Sequence, residues 1–296
     1  MKREITLPSP AKINLYLAVL GRRPDGYHDI ETLFQTVSVA DTITVSVDEG
    51  GGGIDVTSDD ASLPAGEDNL AGRAARALLD EKKIADSALG IRICIRKRIP
   101  VGAGLGGGSG DAATTLVALN RLLDLRLGAA RLESIGATVG SDVPFLVRGG
   151  AAIGRGRGEI LTRVPSLEPV QLLLAKPNVS VSTRWAYENL GQTLTRPGAL
   201  SIVAPRCGNL KVGDLITSLW NAFEDAVTRR HPEVRAIRDA MIAGGANGAL
   251  MSGTGPTVVG IFTEVAKLRD TESSLRSLSC WYERATPVGE REVDAS

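Results

Sequence analysis

The 296-residue chain has no surplus charge to offer a polyanion, because Lys plus Arg and Asp plus Glu number 34 each. That balance excludes the global field that recruits nucleic acid or an anionic membrane, so phosphate recognition has to be local. Cysteine is scarce: Cys94, Cys207 and Cys280 stand far apart with no C-x-x-C pair, which argues against a zinc site and a disulfide framework and fits a reducing compartment. No apolar run approaches bilayer length, and Met1 to Ser9 hold no apolar stretch with a cleavage site, so the expected location is cytoplasmic. Aromatic residues make up only 4% of the chain and there are just two histidines, so the position of each ring carries weight. No G-x-x-x-x-G-K-[ST], H-R-D or D-F-G occurs, and the P-loop and protein-kinase templates fail.

What remains is an ordinary globular composition, 43% hydrophobic and 23% charged, on a chain long enough for two compact units. Residues 42–47, TITVSV, alternate as a half-buried strand, and after a glycine turn residues 54–57 resume the pattern, predicting a hairpin with a long loop. An amphipathic helix follows from Asn69, then an alternating strand over 90–99, a helix over 111–123 and a short helix over 132–139. Glycines concentrate at 149–158, which sets the expected division at 1–155 and 156–296. The second unit is expected to hold strands at 170–175 and 256–262 and one helix over 213–229. Strands and helices alternate without regular βαβ order, and the fold class is α+β.

Residues 100–120, PVGAGLGGGSGDAATTLVALN, carry the strongest chemical signal. A strand ends, six glycines fall within nine residues, and a helix begins. Backbone without Cβ atoms can approach a polyphosphate closely, and the helix N-terminus supplies unpaired amides and a positive dipole end. Pro100, Val101, Gly102, Ala103, Gly104, Leu105, Gly106, Gly107, Gly108, Ser109 and Gly110 form this candidate phosphate cradle, with the Ser109 hydroxyl able to bond a phosphate or ligate Mg²⁺. Gly102, Gly104 and Gly107 satisfy G-x-G-x-x-G, but the acidic residue at the right distance, Asp124, ends a helix rather than a strand, against a dinucleotide fold.

The segment GLGGGSGDAA, residues 104–113, resembles the ATP loop of the GHMP kinases; PAKINLYL at 10–17 and MSGTGPTVVGIF at 251–262 resemble that superfamily's first and third motifs, in order. With RPDGYHDIETLFQTV at 23–37 and GSDVPF at 140–145, the nearest branch is the one whose acceptor is a diphosphocytidyl methylerythritol. The resemblance implies an N-terminal domain like domain 2 of ribosomal protein S5 and a ferredoxin-like C-terminal domain. It further implies ATP with Mg²⁺, a small-molecule acceptor phosphorylated on its 2-hydroxyl in the non-mevalonate isoprenoid route, and no obligate protein partner. Another GHMP kinase, such as a homoserine or mevalonate kinase, is the alternative. By the same resemblance Asp142 accepts the proton beside Lys12, while Asn14, Tyr27, His28, Thr183 and Tyr187 bind the acceptor, the two tyrosines sandwiching its cytosine. Asn69 and Lys97 are placed near the nucleotide, although an Asn before a helix is also a natural N-cap. One departure stands out: Gly110 replaces a second serine usual in this branch, and so removes one potential phosphate or metal ligand.

Overall fold

The computed structural model describes residues 2–85, 88–190 and 209–293. Two long strands, β1 (Arg3–Arg22) and β2 (His28–Glu49), pair antiparallel. Strands this long must bend, and their register shifts between Pro10 and Ala11, Asn14 and Tyr16, and Val19 and Gly21. Pro10 has no N–H to give to a ladder, which suits it to the first irregularity.

The expected hairpin between 42–47 and 54–57 does not form. Between β2 and β3 (Gly53–Ser58) lies β4 (Leu89–Arg96), antiparallel to β2 and parallel to β3. Ile91 and Ile93 sit opposite Val47 and Val45 on one flank and Ile54 and Val56 on the other, so this apolar strand gains more from a central place than from an edge. Packed on the sheet are α1 (Leu70–Lys82), α2 (Gly107–Leu122), α3 (Ala129–Val139) and α4 (Val143–Arg148). Helix α2 begins at Gly107 rather than at 111, its first helical bond running from Gly110 N to Gly106 O at 2.8 Å. Ala71, Ala74 and Ala75 meet Ala112 and Ala113 in the same core, small side chains that let α1 and α2 approach closely.

Strands β5 (Ala151–Arg155) and β6 (Ile160–Val164) extend the first sheet, which therefore continues beyond residue 155. A second, antiparallel sheet begins with β7 (Gln171–Lys176); the chain then runs through α5 (Thr183–Glu188), α6 (Val212–Ile216), β8 (Trp220–Asn221), α7 (Glu224–Arg230) and α8 (Pro232–Ala243) before returning to that sheet at β9 (Gly248–Met251). It closes with β10 (Val258–Phe262), α9 (Val265–Leu275) and β11 (Trp281–Ala285) in the order β11-β7-β10-β9, the ferredoxin-like arrangement.

The single helix expected over 213–229 is instead α6, β8 and α7. Trp220 and Asn221 add in parallel to Tyr16 and Leu17 of β1, and so belong to the first sheet. The Asn221 amide donates to Met251 O at 2.6 Å and Gly253 O at 2.8 Å, while its oxygen accepts from Phe223 N at 2.9 Å. These backbone partners override the helical spacing of the apolar side chains. A shared core joins the units, with Ala11, Ile13 and Leu15 of β1 against Leu172, Leu174, Val259 and Ile261. Finally the chain returns across the first unit: Val288 N donates to Thr36 O at 2.9 Å, Arg291 N to Arg148 O at 2.8 Å, and Val293 is buried in the first core. Among the described residues no helix is long and apolar enough to cross a membrane.

Candidate active site

A cleft of about 1000 Å³ is lined by Lys12, Asn14, Gly104, Gly106, Ser109 and Asp142 from one side and Thr183, Tyr187, Phe223 and Thr254 from the other. Asp142 is the residue before α4, and its carboxylate does not cap that helix. Instead Asp142 Oδ2 lies 3.5 Å from Lys12 Nζ, with the lysine side chain 5% exposed and the aspartate 31%, so the acid opens to the cleft and the ammonium stands behind it. Lys12 Nζ also donates to Asn14 Oδ1 at 2.7 Å and lies over the Phe34 ring at 5.6 Å. The Asn14 amide is held the right way round by Thr32, whose hydroxyl accepts from Asn14 Nδ2 at 2.7 Å and donates to Tyr16 O at 2.6 Å. Because that hydroxyl has spent its proton on the carbonyl, Asn14 must turn its NH₂ toward Thr32 and its oxygen toward the lysine.

The glycine cradle is fixed by its neighbours. Lys12 N donates to Leu105 O at 2.9 Å, and Ser252 Oγ, from the third glycine-rich segment, donates to Gly104 O at 3.1 Å. Gly104 has φ +76, and a Cβ there would lie 2.4 Å from Ser252 O. The helix geometry of α2 leaves the amides of Gly107, Gly108 and Ser109 without intrahelical acceptors, which makes its start an anion seat. Gly110 has its open side elsewhere: a Cβ would sit 2.8 Å from Ser9 Oγ and 3.2 Å from Pro10 O, in buried surroundings. The missing second serine therefore takes no hydroxyl from the cleft.

Beneath the cradle Lys97 is wedged between two buried carboxylates, bonded to Asp41 and 3.1 Å from Asp111 Oδ2. Burial works against its charge, yet Asp111 and Asp41 hold the ammonium above the ordinary lysine range. Burial also pushes the Asp111 carboxyl up to about 6, against the pull of Lys97. Asn69 caps α1, accepting from Ala71 N at 3.0 Å, and Leu70 beside it approaches Gly108.

The aromatic residues expected to meet the acceptor gather on one wall of the cleft. His28 stacks on Tyr187 with centroids 4.8 Å apart, Tyr187 meets Phe223 edge-on at 4.8 Å, and Tyr27 lies under the Arg157 guanidinium at 4.8 Å. Tyr27 and Tyr187 thus each pack against a different neighbour. Burial, with the Asp142 carboxylate nearby, pushes the Tyr187 hydroxyl up to about 12, keeping it protonated at neutral pH. Thr183 Oγ1 lies 3.3 Å from Thr254 Oγ1, which brings the two second-unit segments together at the rim. Sequence reasoning missed Thr32, Ser252, Phe34 and the cleft arginines Arg22, Arg157 and Arg184. Arg157 stood in the G-R-G-R-G run read only as a composition change.

Ser109 and Asp142 are oxygen donors beside the cradle that could meet a divalent ion, and among the described residues no group of three or more His, Cys, Asp or Glu forms an ion cage. Such a sparse set fits Mg²⁺ carried largely by phosphate oxygens and water.

The GHMP kinases N terminal domain model matches residues 69–150 and the GHMP kinases C terminal model residues 209–276. A 4-diphosphocytidyl-2-C-methyl-D-erythritol kinase of Geobacter metallireducens is 42% identical over 280 residues, 95% of this chain and 97% of that protein. A solved 4-(cytidine 5'-diphospho)-2C-methyl-D-erythritol kinase superposes with a TM-score of 0.75 at 34% identity, over 96% of this chain and all of that one (100%). A homoserine kinase from Cytophaga hutchinsonii reaches 0.77 at 20% identity, over 99% and 96% of the two chains, and bears on the fold alone. The backbone is thus common to kinases with different acceptors, and the acceptor must be read from side chains. With its glycine cradle, its Lys12–Asp142 pair and this full-length identity, the chain belongs to the GHMP kinases, in the family of the 4-diphosphocytidyl-2-C-methyl-D-erythritol kinases.

Proposed function

We propose that the chain transfers the γ-phosphoryl group of ATP to the 2-hydroxyl of 4-diphosphocytidyl-2-C-methyl-D-erythritol, in the non-mevalonate route to isoprenoid precursors. The observation that carries this reading is the Lys12–Asp142 pair, set at 3.5 Å in one cleft between the glycine cradle and the ring cluster of His28, Tyr187 and Phe223. ATP phosphates rest on the amides at the start of α2, with Lys97 and the α1 terminus at Asn69 supporting the nucleotide from beneath. Ser109 would help to hold Mg²⁺ arriving with ATP, and the ion would supply charge neutralisation on the phosphoryl oxygens.

Asp142 accepts the proton of the attacking hydroxyl. A loose, metaphosphate-like transition state releases that proton late, so a carboxylate beside an ammonium suffices and a strong base is unnecessary. Lys12 balances charge as it develops, and Asn14 keeps the ammonium in place while reaching the methylerythritol. Tyr27, His28, Thr183 and Tyr187 bind the cytidine end, and Arg22 and Arg157 offer positive charge to its diphosphate. ADP release measured with and without the diphosphocytidyl acceptor tests the assignment. Turnover is expected with that acceptor only, and Asp142→Asn is expected to lower kcat on the order of 10²-fold while still binding ATP. Equal activity on methylerythritol phosphate lacking the cytidine would overturn the acceptor assignment.

A further inference from the structure

Arg291 lies outside the cleft, and nothing in the chemistry above uses it. It is nevertheless partly buried, with each nitrogen of its guanidinium engaged. Its guanidinium donates from NH2 to Leu146 O at 2.7 Å, from Nε to Val147 O at 2.8 Å and from NH1 to Thr114 Oγ1 at 2.9 Å. These acceptors are two carbonyls of α4 and one hydroxyl of α2, with no carboxylate among them. Burial, and Arg121 beside it, lower the guanidinium to about 10, which leaves it charged at neutral pH. A buried cation without a counter-ion is unfavourable unless something else supplies negative potential, and the C-terminal end of a helix does so.

Helix α4 runs only from Val143 to Arg148, and residues 143–147 are buried. So short a helix has little stability of its own and takes its position from what grips it. At one end it carries Asp142; at the other its last carbonyls are held by Arg291. The same guanidinium reaches Thr114 of α2, the helix whose first turn is the glycine cradle. One side chain from the returning C-terminal segment therefore ties the carboxylate's helix to the phosphate helix.

We infer that Arg291 is a positioning residue for phosphoryl transfer, acting through α4 to hold the Asp142 carboxylate in register with the cradle. The inference rests on the reading of Asp142 as the proton acceptor. It commits to a specific pattern: loss of the fork should slow the chemical step while leaving both binding sites formed.

The test uses the full chain with Arg291→Met, which keeps the length and apolar bulk, Arg291→Lys, which keeps the charge but not the fork, and Asp142→Asn as reference. Circular dichroism and thermal unfolding establish folding, calorimetry gives ATP affinity, and coupled ADP release gives kcat and acceptor KM. Arg291→Met is expected to lose roughly tenfold or more in kcat, with ATP affinity and acceptor KM within about threefold of wild type. Arg291→Lys is expected to fall between the two, and millimolar guanidinium or methylguanidinium to restore part of the activity of Arg291→Ala. If Arg291→Met does not fold, the decision passes to Arg291→Lys and the rescue. A folded Arg291→Met or Arg291→Lys with wild-type kcat, or a loss shared equally by kcat and both affinities, overturns the inference. Should Asp142→Asn retain wild-type turnover, the reading of Asp142 fails instead, and the two failures are distinguishable.

Discussion

Replacing Gly104 by alanine should injure this enzyme far more than the same change two residues earlier, although both glycines belong to one loop and both have positive φ. At Gly102 (φ +65) a Cβ would meet nothing within 4 Å, so only the left-handed backbone opposes it, at about 1–2 kcal/mol. At Gly104 (φ +76) the backbone term is the same, but the Cβ would stand 2.4 Å from Ser252 O and 3.0 Å from Gly255 O. That is roughly 1 Å short of van der Waals contact, and the obstacle is backbone rather than a side chain that can swing away. Parting the two loops adds an overpacking cost of about 1–3 kcal/mol and strains the Ser252–Gly104 hydrogen bond, for about 0.5–1.5 kcal/mol more. Gly104→Ala should therefore lose on the order of 3 kcal/mol or more in urea unfolding, and about 10²-fold in kcat/KM if the displaced loop no longer meets the phosphates. Gly108→Ala is the second control: its Cβ would touch only Leu70 Cδ1 at 3.4 Å, and in the first turn of α2 it should leave stability unchanged or raised. Gly106 makes a poor probe of the loop, because a Cβ there would lie 2.9 Å from Lys12 Cγ and disturb the Lys12 side chain as well. Equal stability and equal kcat/KM for Gly102→Ala and Gly104→Ala would refute the reasoning.

Thr32→Val removes the hydroxyl that sets the Asn14 amide, and should reduce kcat by about tenfold with ATP affinity unchanged, whereas Thr32→Ser should keep nearly full activity; identical kcat for Val and Ser would remove Thr32 from the chain of command. Tyr187→Ala should raise acceptor KM by roughly tenfold from about 1–3 kcal/mol of lost stacking, with Phe tolerated, and an unchanged KM in steady-state assays would detach Tyr187 from the base. Asp111 offers a pH test with a definite sign. Its folded pKa of about 6 lies above the ordinary 3.8, so the folded chain takes up the proton more readily than the unfolded one. The carboxylate consequently weakens the fold above pH 6, and that weakness is relieved as pH falls from about 6 toward 4. In urea titrations the stability of Asp111→Asn relative to wild type should be more favourable at pH 8 than at pH 5; a difference independent of pH would mean that Asp111 ionises alike in both states.

The chemistry was legible where it is written in contiguous residues. PAKIN, the glycine run, GSDVPF and SGTG each bring several neighbours to one place, and the cleft gathers Lys12, Gly104, Asp142 and Thr254 from them. What escaped was long-range. Nothing in TITVSV says that β4 will insert beside it, since an alternating strand accepts either neighbour. The apolar stripe over 213–229 is compatible with a helix, and only the backbone partners of Asn221, thirty residues away in sequence and beyond, break it. Thr32 looks like any β-branched residue on a strand until its hydroxyl is seen between Tyr16 O and Asn14. The His28–Tyr187 stack was hidden for a related reason: the two rings lie far apart in sequence, and nothing local to either shows that they meet.

The parallel pairing of Trp220 and Asn221 with Tyr16 and Leu17 has a consequence for how the molecule is made. A ribosome delivers β1 well before the neighbour of that stretch of β1, which emerges some two hundred residues later, and residues 286–293, which cover Thr36 and Gly149, follow later still. The N-terminal half therefore cannot complete itself until those segments have been made. It leaves the exit tunnel with one flank of its first strand and part of its apolar surface uncovered, in the condition that invites pairing with another nascent chain. Completion of that half waits on segments made far later in the chain.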